Sequence, residues 1–289
     1  MKVAIIGGSG KMGRWFANFL LKDGNEVVIS GRNKEKLREV KRQLGVEVAS
    51  NVAAVKGADA VLLSVPIENF EEVVKQISPH IHPRHIVIDI TSIKASPVAT
   101  MHKHLKTGLV LGVHPLFGPG AKGVINQNFV LTPVNEKEEA LAQRIRAYLE
   151  ARRARVTLMT PQEHDEMMTI VLGLAHFIAI VTADTLLSSA NWKQLETVGG
   201  ITYKVLLTLI ESVVSEEPEL YSSLQMNLPN IAQTEELLQR RAKEWAGLVK
   251  NKDRQTFIRR MKALKKRLEK DAPDFGKAYE NMYKIADEL

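Results

Sequence analysis

The feature that most constrains this chain is a glycine-rich turn set directly behind its first apolar run. Residues 2–6 read Lys-Val-Ala-Ile-Ile, and Gly8-Ser9-Gly10-Lys11-Met12-Gly13 then fits G-x-G-x-x-G. Helical periodicity follows from Lys11 to Asp23. In a strand–turn–helix unit the first glycine of this pattern permits the tight turn. The second lets the backbone approach a pyrophosphate, and the third lets helix and strand pack closely. Phosphates then rest on the free N–H groups at the helix start. The pattern therefore predicts a dinucleotide-binding domain that begins at the first residues.

Further apolar runs at 26–30, 60–65, 85–90, 109–112, 128–134 and 155–159 read as strands, with helical segments between several of them. Strands alternating with helices predict a parallel sheet covered on both faces. The pattern changes near residue 160. Thr160-Pro161-Gln162-Glu163 combines an N-cap threonine, a proline at the first helical position and a glutamate at the third. Helical periodicity then fills 163–187, 193–215, 218–249 and 253–270. The expected fold is α/β plus all-α. A Rossmann-type domain spans 1–159, and an all-helical substrate and dimerisation domain spans 160–289.

Composition narrows the function classes. There are no cysteines, which removes disulfides, thiolate metal sites and cysteine nucleophiles and fits a reducing cytoplasm. No metal is expected. The start of the chain lacks the apolar region and cleavage site of a signal peptide. The net charge of +7 favours anionic ligands, but much of the excess lies between Arg240 and Lys270, where cations alternate with apolar residues at helical spacing. That reads as a solvated helix face, so no nucleic-acid partner is expected. The longest apolar stretch, Ile170 to Leu187, contains His176, Thr182 and Asp184 and reads as a buried helix rather than a membrane span. Its apolar character on most sides, shared by Thr197 to Val214, predicts a homodimer built from these helices.

NAD-binding domains place Asp or Glu near the end of the second strand to grip the ribose 2′-hydroxyl. Here the segment reads Val28-Ile29-Ser30-Gly31-Arg32-Asn33-Lys34, with no acid before Glu35. Ser30, Arg32 and Lys34 can hydrogen-bond and neutralise a 2′-phosphate, with Asn33 also at the cofactor, which predicts NADP over NAD.

Two clusters lie where strands of the first domain end: Asp89-Ile90-Thr91-Ser92-Ile93-Lys94 and His114-Pro115-Leu116-Phe117-Gly118-Pro119. Ligands in open α/β sheets bind outside the carboxyl ends of strands. Ser92 and His114 are thereby candidates to face a nicotinamide. Oxidation of an alcohol needs a base for the hydroxyl proton, and histidine suits that task.

Ser64-Val65-Pro66, the segment 89–94, the segment 114–119 and Glu163-His164-Asp165 stand in the order found in the prephenate/arogenate dehydrogenases of tyrosine biosynthesis, which the chain resembles over nearly its whole length. The His-Pro-Leu-Phe-Gly-Pro segment is especially similar to the dehydrogenase part of the bifunctional enteric enzymes. The resemblance implies a Rossmann domain, a helical dimerisation domain and oxidative decarboxylation of a cyclohexadienol. It implies that His114 takes the ring-hydroxyl proton, that Ser92 helps hold that hydroxyl, and that Ser64, Val65 and Pro66 flank the cofactor. It sets His176 where the family has a substrate-facing polar residue. His164 and Asp165 are expected to cap a helix or pack domains.

One departure stands out. The family places an arginine for a substrate carboxylate ahead of an Asp/Glu-Pro step, and the matching position here is Ser212. Lys204, about two turns earlier, is the cation available on that helix, without arginine's bidentate fork. Two alternatives stay open: a related dehydrogenase for another small carboxylated alcohol, and a non-catalytic NADP-binding sensor.

Overall fold

The computed structural model describes residues 1–287, which divide into two compact units, 1–168 and 169 onward. The first unit holds eight strands: β1 (Lys2–Ile6), β2 (Glu26–Ser30), β3 (Glu47–Val48), β4 (Ala60–Leu63), β5 (Ile86–Asp89), β6 (Leu109–Pro115), β7 (Asn128–Thr132) and β8 (Arg155–Leu158). Its helices are α1 (Lys11–Lys22), α2 (Lys34–Leu44), α3 (Asn51–Lys56), α4 (Ile67–Ile77), α5 (Ala95–His104), α6 (Glu136–Glu150) and α7 (Pro161–Met168).

The strands form one sheet in the order β3-β2-β1-β4-β5-β6-β7-β8. Period-two alternation gives it two buried faces. Val3, Ile5, Val27 and Ile29 pack with Phe16 and Ala17 of α1 on one side. Ala4, Ile6, Val28 and Leu63 pack with Phe70 and Val74 of α4 on the other. The sheet is parallel from β3 through β6, as expected, but β7 runs antiparallel to β6. The reason lies in residues 116–127, which form no helix. A parallel return needs a long crossover, usually a helix, whereas this Gly/Pro-rich link simply turns back.

The doubly wound order places the carboxyl ends of β1, β4, β5 and β6 along one edge. That edge carries the glycine turn, Ser64–Pro66, the segment 90–94 and the residues from His114 onward.

The second unit opens with a π-helical turn, Thr169–Leu174, followed by α8 (Ala175–Leu187), α9 (Leu195–Val198), α10 (Ile201–Val214), α11 (Pro218–Asn227), α12 (Ile231–Lys250), α13 (Arg254–Asp271) and α14 (Ala278–Asp287). Periodicity had suggested single helices over 193–215 and 218–249. Gly199-Gly200 interrupts the first, and Pro229 the second, because proline lacks an N–H and disfavours helix before it. The π turn lets Gly173 approach Ile231, where a Cβ would stand 2.5 Å from the Cδ1. It also leaves the Gly173 carbonyl open to the Gln225 side chain at 2.9 Å.

The stretch from Pro161 to Leu187 is long and apolar enough to cross a membrane by length and composition, and only 17% of its most apolar part is buried. Within one chain it is therefore not the buried core helix the sequence suggested. Ile170, Val171, Ile180, Val181 and Leu187 are all exposed.

Candidate active site

The glycine turn is shaped by contacts that exclude side chains. Gly7, a glycine outside the quoted motif, has φ +85°, and a Cβ there would stand 2.0 Å from the Ser64 carbonyl oxygen. A Cβ on Gly13 would stand 2.4 Å from the Gly7 carbonyl oxygen, so α1 packs directly on the turn. The Ser30 carbonyl accepts the N–H groups of Gly7 and Gly8 at 3.0 and 2.9 Å. Helix α1 opens on Gly10 with no side-chain cap. A bare helix N-terminus behind a turn with no room for side chains fits a pyrophosphate. Sequence reading missed Arg14, whose Nε donates to the Ser9 carbonyl at 3.1 Å while its guanidinium pairs with Glu39 at 3.2 and 3.0 Å. That pair ties the turn to α2 and holds the Glu39 carboxyl below its usual range.

The residues chosen for a 2′-phosphate fare unequally. Ser30 is fully buried beside the turn, and no protein group hydrogen-bonds its Oγ. Its carbonyl makes the two turn bonds just described. Asn33 caps α2, accepting from the Lys36 N–H at 2.9 Å. Arg32 is exposed just beyond β2. Gly31 faces the turn, since a Cβ there would lie 2.9 Å from Ser9 Oγ. Ser64 is half-buried, its N–H donating to the Ile6 carbonyl at 2.8 Å, and Val65 and exposed Pro66 lead into α4.

His114 lies next to the end of β6 and is 5% exposed. Its Nδ1 is 2.8 Å from His164 Nε2, and His164 Nδ1 is 2.7 Å from Asp165 Oδ1. Asp165 also accepts the N–H groups of Lys94 at 2.7 Å and Ala95 at 2.9 Å, at the start of α5. With both rings neutral, these bonds order the protons. A carboxylate accepts, so His164 donates through Nδ1 and must accept at Nε2. His114 then donates through Nδ1, and its Nε2 carries a lone pair. Burial, with the neighbouring His164 ring and Lys94 ammonium, holds His114 well below the usual histidine range. The imidazole is neutral at pH 7, as a proton acceptor must be.

Below this chain lies a fully buried ion pair between Lys94 and Asp89. Lys94 Nζ also donates to the Val113 carbonyl at 2.9 Å, one residue before His114. Asp89 Oδ1 accepts the Thr91 N–H at 2.8 Å. Burial pushes the Asp89 carboxyl up and the Lys94 ammonium down, each opposed by the other's charge. Ser92 sits half-buried on the bend between β5 and α5.

The structure thus joins His114 to His164, Asp165 and Lys94. The sequence reading expected His164 and Asp165 to cap a helix or pack domains; Asp165 instead accepts at the start of α5, not of its own helix, and its link through His164 to His114 was missed. The available signal was a His-Asp pair placed just inside a capped helix. Asp165→Asn is expected to lower turnover roughly tenfold to a hundredfold, part of what a general base contributes. Asparagine must set its NH₂ against either the Ala95 N–H or the His164 and Lys94 donors, so the hold on the His164 ring weakens in either orientation. Steady-state kinetics with an unchanged cofactor titration checks this, and unaltered kcat would contradict the proton assignment.

In the helical unit, His176 opens α8 with its ring edge-on to Tyr221 at 4.8 Å. Its Nδ1 is buried without a hydrogen-bond partner, and burial holds the ring below its usual range. Lys204 and Ser212 are exposed on α10, and Ser212 Oγ donates to the Leu209 carbonyl at 2.8 Å.

A doubly wound sheet with this turn defines a nucleotide-binding domain of the dehydrogenase type. Residues 16–158 match the nucleotide-binding domain family of prephenate dehydrogenase, and residues 160–263 match its dimerization domain family. The chain belongs to the prephenate/arogenate dehydrogenase family. It is 34% identical over 276 residues to a probable arogenate/prephenate dehydrogenase of Methanocaldococcus jannaschii, covering 94% of this chain and 62% of that protein. The T-protein of Haemophilus influenzae is 29% identical, over 89% of this chain and 64% of its own length. The chain therefore spans less than two thirds of either relative. Among solved structures, prephenate dehydrogenase of Aquifex aeolicus with hydroxyphenyl propionate and NAD+ shares the fold at a TM-score of 0.76 and 24% identity, over 94% of this chain and 98% of that one.

Proposed function

We propose that the protein catalyses pyridine-nucleotide-dependent oxidation and decarboxylation of prephenate or arogenate. The observation that carries this reading is the Asp165–His164–His114 chain at the carboxyl end of β6, which leaves one imidazole nitrogen unprotonated. His114 Nε2 takes the ring-hydroxyl proton. Ser92 steadies that hydroxyl, and His176, Lys204 and Ser212 serve the substrate side. A bound nicotinamide supplies the hydride acceptor. As the hydroxyl carbon gives up hydride and its oxygen gives the proton to His114, the ring carboxylate leaves as CO₂, its bonding pair completes the aromatic ring, and the resulting phenolate oxygen takes the proton back. Side-by-side assays of prephenate and arogenate with each nucleotide test the reading, and turnover of neither overturns it. A second reading, a related dehydrogenase for another carboxylated alcohol, draws on Ser212 and predicts exactly that failure together with retained nucleotide binding.

NADP is the proposed cofactor. Arg32 is exposed beside a strand end that lacks an acid, and Gly31 occupies the position facing Ser9. Arg32→Asp is expected to lower kcat/KM with NADP by about 10–100-fold, the worth of hydrogen bonds to a charged group, and to leave NAD turnover nearly unchanged. A native preference for NAD would refute the assignment.

The exposed apolar faces of α8 and α10 are proposed as the homodimer surface, since the matched family is a dimerization domain. Light scattering at twice the monomer mass is the expected result. A cytoplasmic setting fits the absence of cysteines.

A further inference from the structure

The link from β6 to β7 begins two residues after His114, at the carboxyl edge of the parallel strands. It is rich in glycine, and side chains added at Gly118, Gly120 or Gly123 would meet nothing within 4 Å. Such a segment has little of its own to hold it. Within it, Ala121 N–H donates to the Gly118 carbonyl at 3.1 Å, closing a turn around Pro119-Gly120. The Ala121 carbonyl is held from outside. Trp15, in the second turn of α1, donates its indole Nε1–H to it at 2.7 Å. The same indole packs edge-on against Phe117 at 4.9 Å, and Phe117 meets Phe129 of β7 at 5.3 Å. Trp15 also stacks on Phe19, one turn further along α1, at 5.5 Å.

The helix whose N-terminus receives the cofactor phosphates thus grips the loop that follows the catalytic imidazole. We infer that Trp15 is a positioning residue that latches residues 116–123 in the substrate-competent conformation. The inference rests on the dehydrogenase reading above. Without the latch the glycine-rich turn samples more conformations. Apparent substrate affinity then falls in proportion to the competent fraction. The cofactor site, formed by Gly7 to Gly13, keeps its own contacts.

The test is Trp15→Phe in the full chain, which keeps an aromatic ring and deletes the N–H. The expected result is a substrate KM raised about 3–10-fold, as loss of one partly buried hydrogen bond implies. kcat and the dissociation constant of the nucleotide alone should stay within about twofold. A lower Tm with unchanged KM would show a purely structural role and overturn the inference. So would a nucleotide dissociation constant that rises in step with KM. A second measurement needs no turnover. Lys122 is exposed beside the latch, and trypsin should cut after it at least about threefold faster in the variant, again the scale of one such bond. Equal cleavage rates overturn the latch whatever the substrate. Failure of the native protein to oxidise prephenate or arogenate overturns only the functional reading.

Discussion

His114→Asn is expected to remove most turnover, about 10²–10⁴-fold in kcat, while nucleotide binding stays intact. Asparagine still donates to His164 but has no basic nitrogen for the hydroxyl proton. Steady-state rates beside a fluorescence titration of the reduced nucleotide separate the two effects. A nucleotide-binding sensor predicts no functional change, so retained activity or a lost cofactor site would each count against the proposed base. The pH profile supplies a second check. Because His114 is held well below the usual histidine range, the acidic fall of kcat/KM should lie well below pH 6.5. The same shift acts on stability. The unfolded chain binds this proton first, so the contribution is complete above about pH 6.5 and is lost as pH falls toward the folded value.

Lys94→Met should destabilise the N-terminal unit by about 3–5 kcal/mol, because it strands a charged Asp89 with no water to solvate it. Both side chains of the pair are 0% exposed, and methionine keeps the aliphatic stem, so the loss isolates charge rather than volume. The deficit should shrink as pH falls, since the stranded carboxyl has a raised pKa and protonates earlier in the folded state. Adding Asp89→Leu should recover most of the stability. Urea unfolding of the two variants decides the matter, and a loss below about 1 kcal/mol for Lys94→Met would mean the pair is solvated.

Local rules carried the sequence a long way. The run Val3 to Ile6 and the glycines after it announced β1, the turn and α1, because that geometry admits few side chains. The capping box at Thr160 and Glu163 forms as read, with the Glu163 N–H donating to Thr160 Oγ1 at 3.2 Å. What stayed hidden depends on partners distant in sequence. The two turn bonds accepted by the Ser30 carbonyl reach back to Gly7 and Gly8, more than twenty residues earlier. The antiparallel β7 follows from what the 116–127 link lacks. The His114–His164 bond spans 50 residues, and no spacing rule encodes it. Trp15 went unread, since its donor finds Ala121 across 106 residues.

The crowding at Gly7 bears on any attempt to redesign nucleotide choice. With a main-chain oxygen where the first side-chain carbon would go, that corner tolerates no larger residue, and selection or directed evolution cannot retune it in small steps. Exposed position 32 has no such restriction, and at Gly31 the atom nearest an added side chain is the Ser9 hydroxyl, which can turn aside. Coenzyme switching in this scaffold should therefore accumulate there, far from the chemistry and nearly free of folding penalties.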